Sequence, residues 1–139
     1  MTGLQRVNGL PTWLLSRANA RAQEILHGAF GRLGVRGYHV RVLAALDEFG
    51  PMSQAELGRR TGVDRSDIVA TVNDLAARAF VSRTPDPDDR RQNVVAITGP
   101  GTAMLGRLDV ALAEVQEALL EPLSERELAA LVRLLAKLW

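Results

Sequence analysis

The chain of 139 residues contains no cysteine. Disulfide staples, thiolate catalysis and cysteine-based oxidation sensing are thereby excluded, and the composition fits a reducing interior. Long apolar runs are also missing. Nothing approaches the roughly 20 residues that span a bilayer, and the opening MTGLQRVNGLPTW carries no signal-peptide core. We expect a cytoplasmic protein with no membrane partner. Histidine is scarce: His27 and His39 sit on separate helical stretches. Each reads as a surface or packed histidine, so no metal is expected. Asp86, Asp88 and Asp89 cluster, but without the glycine turn and distal glutamate of a calcium loop. Neither a Gly-rich phosphate loop nor a nucleophile elbow is present, so we expect no enzyme and no cofactor.

An excess of one charge is lacking too. Seventeen basic residues against sixteen acidic ones leave +1, so any case for nucleic acid has to come from local placement. The hydrophobic content of 47% is enough for one domain with a real core.

What is present is helical periodicity. From Pro11 to about Arg32, residues such as Leu14, Leu15, Ala18, Ile25 and Ala29 recur at three- and four-residue steps. YHVRVLAALDEFG repeats the pattern, with Val40, Leu43, Leu46 and Phe49 as its expected buried face and Gly50-Pro51 as its stop. SQAELGRRTG opens on Ser53 and Glu56, spaced as a capping box, and lasts about two turns before Gly62. A further helix restarts with Asp64 as N-cap and Ile68, Val72, Leu75 and Ala79 as its buried stripe. Two helices joined by a tight glycine-containing turn form the helix-turn-helix pattern.

FVSRT and NVVAIT favour strands, and PDPDDRRQ joins them into a hairpin. After Pro100, Met104, Leu108, Ala111, Val115 and Leu119 mark a long helix. Ser124 and Glu127 then form a second expected capping box for a last helix bearing Leu128, Leu131, Leu135 and Leu138. The terminal helices have little sheet or core of their own to cover, so burial against a second copy is expected. The fold class is mainly α with a small β-hairpin, in one domain over residues 1–139.

In a helix-turn-helix the second helix can enter the major groove, which here would present Arg65, Ser66 and Asp67 to bases or phosphates. Taken alone, DRSD is better explained as a solvated helix start. The hairpin adds weight, because an arginine at its tip can enter the narrow minor groove. From Gly50 to Arg91 seven arginines (59, 60, 65, 78, 83, 90, 91) meet seven acids (56, 64, 67, 74, 86, 88, 89). There is no broad basic patch, so binding would rest on placed arginines doubled by dimerisation, with a distinct but not extreme salt dependence.

DPDDRRQNVVAIT followed by GPG resembles the wing signature of the MarR (multiple antibiotic resistance regulator) family of winged helix-turn-helix transcription factors. SQAELGRRTGVDRSDIVATVNDLAARAFVSR is similar to that family's helix-turn-helix block. The resemblance implies a DNA-binding lobe over 37–99 with dimerisation helices in 1–36 and 100–139. It also implies a dimeric, ligand-responsive repressor on a pseudo-palindromic operator. By position, Arg91 is implied as the wing-tip arginine of the minor groove, Asp89 as the aspartate that orients it, and Arg90 as a phosphate contact. Ser53 and Gln54 are implied at backbone phosphates.

Departures from the family pattern are Val69-Ala70 where it often has Thr-Arg, Asp74 where it has a basic residue, and Ala79 where a glycine usually ends the helix. Arg65, one turn earlier, is the candidate replacement for the lost arginine.

The family further implies a small aromatic or phenolic effector in a crevice beside the DNA-binding lobe. Trp13, Arg17 and His39 are the candidates here, an aromatic near a cation suiting a carboxylate-bearing ring. Two other readings stand beside the regulator: a helix-mediated protein-interaction module without DNA binding, and a small-molecule-binding module.

Overall fold

The computed structural model describes residues 5–139; the reading of residues 1–4 as part of the opening segment lies outside the described residues. The elements are α1 (Pro11–Arg32), α2 (Gly37–Phe49), β1 (Met52–Ser53), α3 (Gln54–Thr61), α4 (Arg65–Ala77), β2 (Val81–Pro85), β3 (Asn93–Ile97), α5 (Gly99–Leu120) and α6 (Glu125–Leu135), closed by a 3₁₀ turn over Ala136–Leu138. Every expected helix forms, as does the hairpin. The two-residue β1 was not expected. It pairs with β3 at Met52↔Val95 and Ser53↔Val94, giving a three-stranded antiparallel sheet of order β1-β3-β2. No periodicity can register in two residues.

The chain divides into two compact units: Phe30–Ala111, and the chain up to Ala29 together with Leu112–Trp139. In the first, α2, α3 and α4 pack on one another and on the sheet. Leu43, Leu46, Leu57, Ile68, Val72, Leu75 and Val95 are its fully buried centre. On α2 the buried residues are His39, Val42, Leu43, Ala45 and Leu46, whereas Phe49 is half exposed. The expected face of Val40, Leu43, Leu46 and Phe49 is corrected, because three successive steps of three residues rotate off a 3.6-residue helix. Steps of three and four residues hold one face.

On α4, Thr71 replaces Ala79 in the buried stripe. The helix ends at Ala77, with Arg78 as its C-cap, and Ala79 stands beyond it at φ 60°.

The caps divide. Ser124 and Glu127 form both halves of their box, at 3.2 and 3.0 Å. Ser53 Oγ accepts from the Glu56 N–H at 3.2 Å, but Glu56 does not return the bond, since its carboxylate is taken by Arg59 and Arg60. Asp64 occupies the N-cap position of α4 without capping it; its carboxylate accepts from Ser66 Oγ at 2.9 Å instead.

In the other unit, Leu14 and Leu15 on α1 and Val132, Leu134, Leu135 and Leu138 near the C-terminus are exposed. Among the described residues no helix is long and apolar enough to cross a membrane.

Candidate nucleic-acid interface

The sequence places the charged loop at a turn, and the fold ties that turn shut. Asp86 N–H donates to the Gln92 carbonyl at 3.0 Å and Gln92 Nε2 donates to Asp86 Oδ2 at 2.9 Å, so the neck of the hairpin is closed by backbone and side chain together. Asp86 Oδ1 also accepts from the Asp88 N–H at 2.8 Å. Pro85 and Pro87 flank this clasp with fixed φ, which limits the conformations the loop can sample.

At the tip, Asp89 grips Arg91. Its Oδ1 accepts from Arg91 Nε at 3.0 Å and from the Arg91 N–H at 3.1 Å, and its Oδ2 accepts from Nη2 at 3.3 Å. The forked geometry matches a planar guanidinium to a planar carboxylate. Those bonds, side chain first and backbone second, hold the Asp89 carboxyl below the usual carboxylate range. Arg91 remains 91% exposed while so held. Arg90 beside it is also exposed.

Between α3, α4 and the wing lies a groove of about 700 Å³, whose walls include Gln54, Arg59, Arg65, Val69, Arg91 and Asn93. The fold thus brings together three of the expected residues, Gln54, Arg65 and Arg91. Ser53 is partly buried at the start of α3, its Oγ accepting the cap bond and its backbone pairing with Val94. Ser66 is exposed and bonded to Asp64, and Asp67 is half-buried in the first turn of α4.

Part of the balanced charge is paired within the lobe. Glu56 accepts from Arg59 and from Arg60, and the Arg59 bond foremost holds its carboxyl below the usual range. Asp89 is neutralised by Arg91, and Asp74 faces His39. Several acids of the lobe are therefore already partnered, and Arg65 and Arg90 face solvent without a salt-bridge partner among the described residues.

His39 departs from its sequence reading. No carboxylate is near it along the chain, yet folding sets Asp74 Oδ2 of α4 3.6 Å from its Nε2. Its Nδ1 accepts from the Arg36 N–H at 2.9 Å, and the ring is buried. Burial foremost pushes its pKa down, against the upward pull of Asp74; Arg78 and Arg36 add to the lowering. A pocket of about 360 Å³ opens beside it, lined in part by Gly34, Arg36, Asp74 and Arg78. Trp13 and Arg17 lie on α1, the guanidinium 6.0 Å from the ring centroid.

Sequence reasoning missed the clasp of Asp86 and Gln92, the reach of Arg83 to Asn73 Oδ1 on α4, and the bond from Arg78 to the Gly34 carbonyl. The last two link residues 10 and 44 positions apart, a separation no local pattern encodes. It also missed the C-terminal pin of α4. Thr98 Oγ1 donates to the Ala79 carbonyl at 2.6 Å and accepts from the Gly101 N–H at 3.2 Å, capping α5 while fixing the turn before β2.

The family model described as the MarR family matches residues 33–92. The HTH-type transcriptional repressor NicR of Pseudomonas putida is 38% identical over 96 residues, which span 69% of this chain and 61% of that protein's own length. A probable transcriptional regulator from Pseudomonas aeruginosa superposes with a TM-score of 0.84 at 33% identity, over 96% of this chain and 99% of that one. Bordetella bronchiseptica BpsR, whose structure describes regulation of its DNA binding by 6-hydroxynicotinic acid, superposes with a TM-score of 0.79 at 26% identity, over 91% and 96%. With the winged helix-turn-helix lobe, these likenesses establish that the chain belongs to the MarR family of transcriptional regulators.

Proposed function

We propose that the protein is a sequence-specific DNA-binding transcriptional regulator: a homodimeric, ligand-responsive repressor that recognises a pseudo-palindromic operator in the cytoplasm and catalyses no reaction. The observation that carries this reading is Arg91, held in a fork by Asp89 yet almost wholly exposed at the wing tip, beside the groove that Arg65 enters from α4. A pre-oriented guanidinium suits the narrow minor groove, where the negative potential is strongest. Arg90, Ser53 and Gln54 then contact the flanking backbone, and the start of α4, with Arg65, Ser66 and Asp67, meets the major groove.

A second copy doubles these contacts and covers the apolar residues left exposed near the C-terminus. For the effector, regulation of BpsR by 6-hydroxynicotinic acid makes a small carboxylated aromatic ring the first class to test. Trp13 and Arg17 on α1 offer a stacking face and a cation for such a ring; His39, with Asp74 of α4 beside it, is a separate candidate in the other unit. A ligand that prefers one arrangement of the recognition helices shifts the dimer toward it by that difference in affinity.

The test is fluorescence anisotropy with duplex DNA from upstream of the protein's own gene, with and without Arg91→Ala. Loss of binding in a variant that keeps its fold and its size by light scattering is the expected result. No sequence-preferring binding at any moderate salt would sink the regulator and leave the protein-interaction module. A stable monomer at micromolar concentration would sink the dimer.

A further inference from the structure

The outward face of α4 carries Arg65, Ser66, Val69, Ala70 and Asn73, since Ile68, Thr71, Val72 and Leu75 turn inward. Val69 is 41% exposed, the large apolar side chain on this helix that meets solvent. It lines the groove shared by Arg65 and Arg91, one turn on from Arg65. The fold covers it only in part. A β-branched residue at such a helix position loses helix propensity and gains only partial burial in return. Ala70 extends it into an apolar step in the middle of an otherwise polar face.

Resting on the regulator reading above, we propose that Val69, with Ala70 beside it, is a specificity-determining contact that reads the C5-methyl groups of thymine in the major groove. Each base pair presents a distinct pattern there, and the thymine methyl is its apolar mark. A valine cannot satisfy the amino group of cytosine or the O6 and N7 acceptors of guanine, so it selects against them by leaving them unpaired as much as it selects for the methyl. The neighbouring Arg65 keeps the hydrogen-bonding share of the readout at the helix start. Asn73, one turn further along, has its Oδ1 engaged by Arg83.

The inference separates base chemistry from shape, because uracil differs from thymine at this edge only by the methyl. A duplex is first recovered by wild-type selection from a randomised library. Each thymine in it is then replaced singly by deoxyuridine, and affinity is compared for wild type, Val69→Ala and Val69→Thr. We expect one thymine per half-site whose replacement weakens wild-type binding about fourfold, the ratio matching ~0.8 kcal/mol for one buried methyl-sized group. Val69→Ala is expected to bind the thymine and uracil duplexes alike, while Val69→Thr, which keeps one methyl, retains part of the difference. Circular dichroism should leave both variants as folded as wild type, since the side chain is exposed. Equal wild-type binding at every replaced thymine, or full discrimination retained by Val69→Ala, overturns the inference while leaving DNA binding intact. Failure of the wild type to enrich any sequence overturns the regulator reading itself.

Discussion

His39 of α2 and Asp74 of α4 face each other at 3.6 Å, and the second ring nitrogen of His39 is already an acceptor for the Arg36 N–H at 2.9 Å. The proton of the neutral ring therefore belongs on Nε2, toward the carboxylate. Adding a second proton means placing it on Nδ1, which breaks the Arg36 bond in a buried site.

The depressed His39 pKa makes a prediction about pH. In the unfolded chain the ring titrates near its ordinary value of 6.5, so below that pH the unfolded state binds more protons than the native one. The stability contributed by neutral His39 is fully present above about pH 6.5 and is lost as pH falls toward the lower native value. Denaturant midpoints between pH 5 and pH 7.5 should rise with pH, and the rise should shrink in His39→Gln. In Asp74→Asn the ring should titrate lower still by NMR, because the carboxylate is what opposes the burial.

Ala79 takes φ 60° just past α4, where its N–H bonds to the Ala76 carbonyl and that of Phe80 to the Leu75 carbonyl. This is a helix ending that glycine adopts without Cβ strain. Relief of that strain, about 1–2 kcal/mol, exceeds glycine's added unfolded-state entropy of about 0.4–1 kcal/mol. Ala79→Gly should stabilise the protein by up to ~1 kcal/mol and raise the thermal midpoint by a few degrees. A midpoint at or below wild type would show that the turn is not strained.

Much of the architecture is legible because it repeats at short range. Met104, Leu108 and Val115 are buried where their spacing places them, and Ser124 caps α6 with Glu127. Ser53 shows where such reading stops: its spacing to Glu56 is correct, yet Arg59 and Arg60 compete for the glutamate and win. The wing arginine and its aspartate are two positions apart, so the sequence can suggest the pair. The approach of Asp74 to His39, or of Arg83 to Asn73, depends on how α4 packs against α2 and β2, and neighbouring residues carry no trace of that.

Gly101 is required for a reason that GPG alone does not give. A Cβ built there would run into the Phe80 carbonyl oxygen and the Ile97 side chain. Backbone cannot yield as a flexible side chain can, so Gly101→Ala should cost about 1–3 kcal/mol, toward the upper end. Gly99→Ala, with nothing within 4 Å of its Cβ, is the matched control and should lie within about 0.5 kcal/mol of wild type. Similar losses in both would point to a general intolerance of the α5 start.

The last prediction separates charge from geometry at the wing. Asp89→Ala removes a negative charge beside the groove proposed to meet DNA, so a purely electrostatic wing would bind DNA more tightly after the change. If the fork is what aims Arg91, the same substitution releases the guanidinium and weakens binding despite the gain in net charge. We expect weaker binding for Asp89→Ala, and weaker still for Arg91→Ala, with the slope of log affinity against log salt falling by about one per half-site in the arginine variant. Asp89→Asn, which keeps an acceptor but loses the ion pair, should fall between wild type and Asp89→Ala. Anisotropy titrations at several salt concentrations provide the measurement, and tighter binding by Asp89→Ala would mean that Arg91 needs no guide.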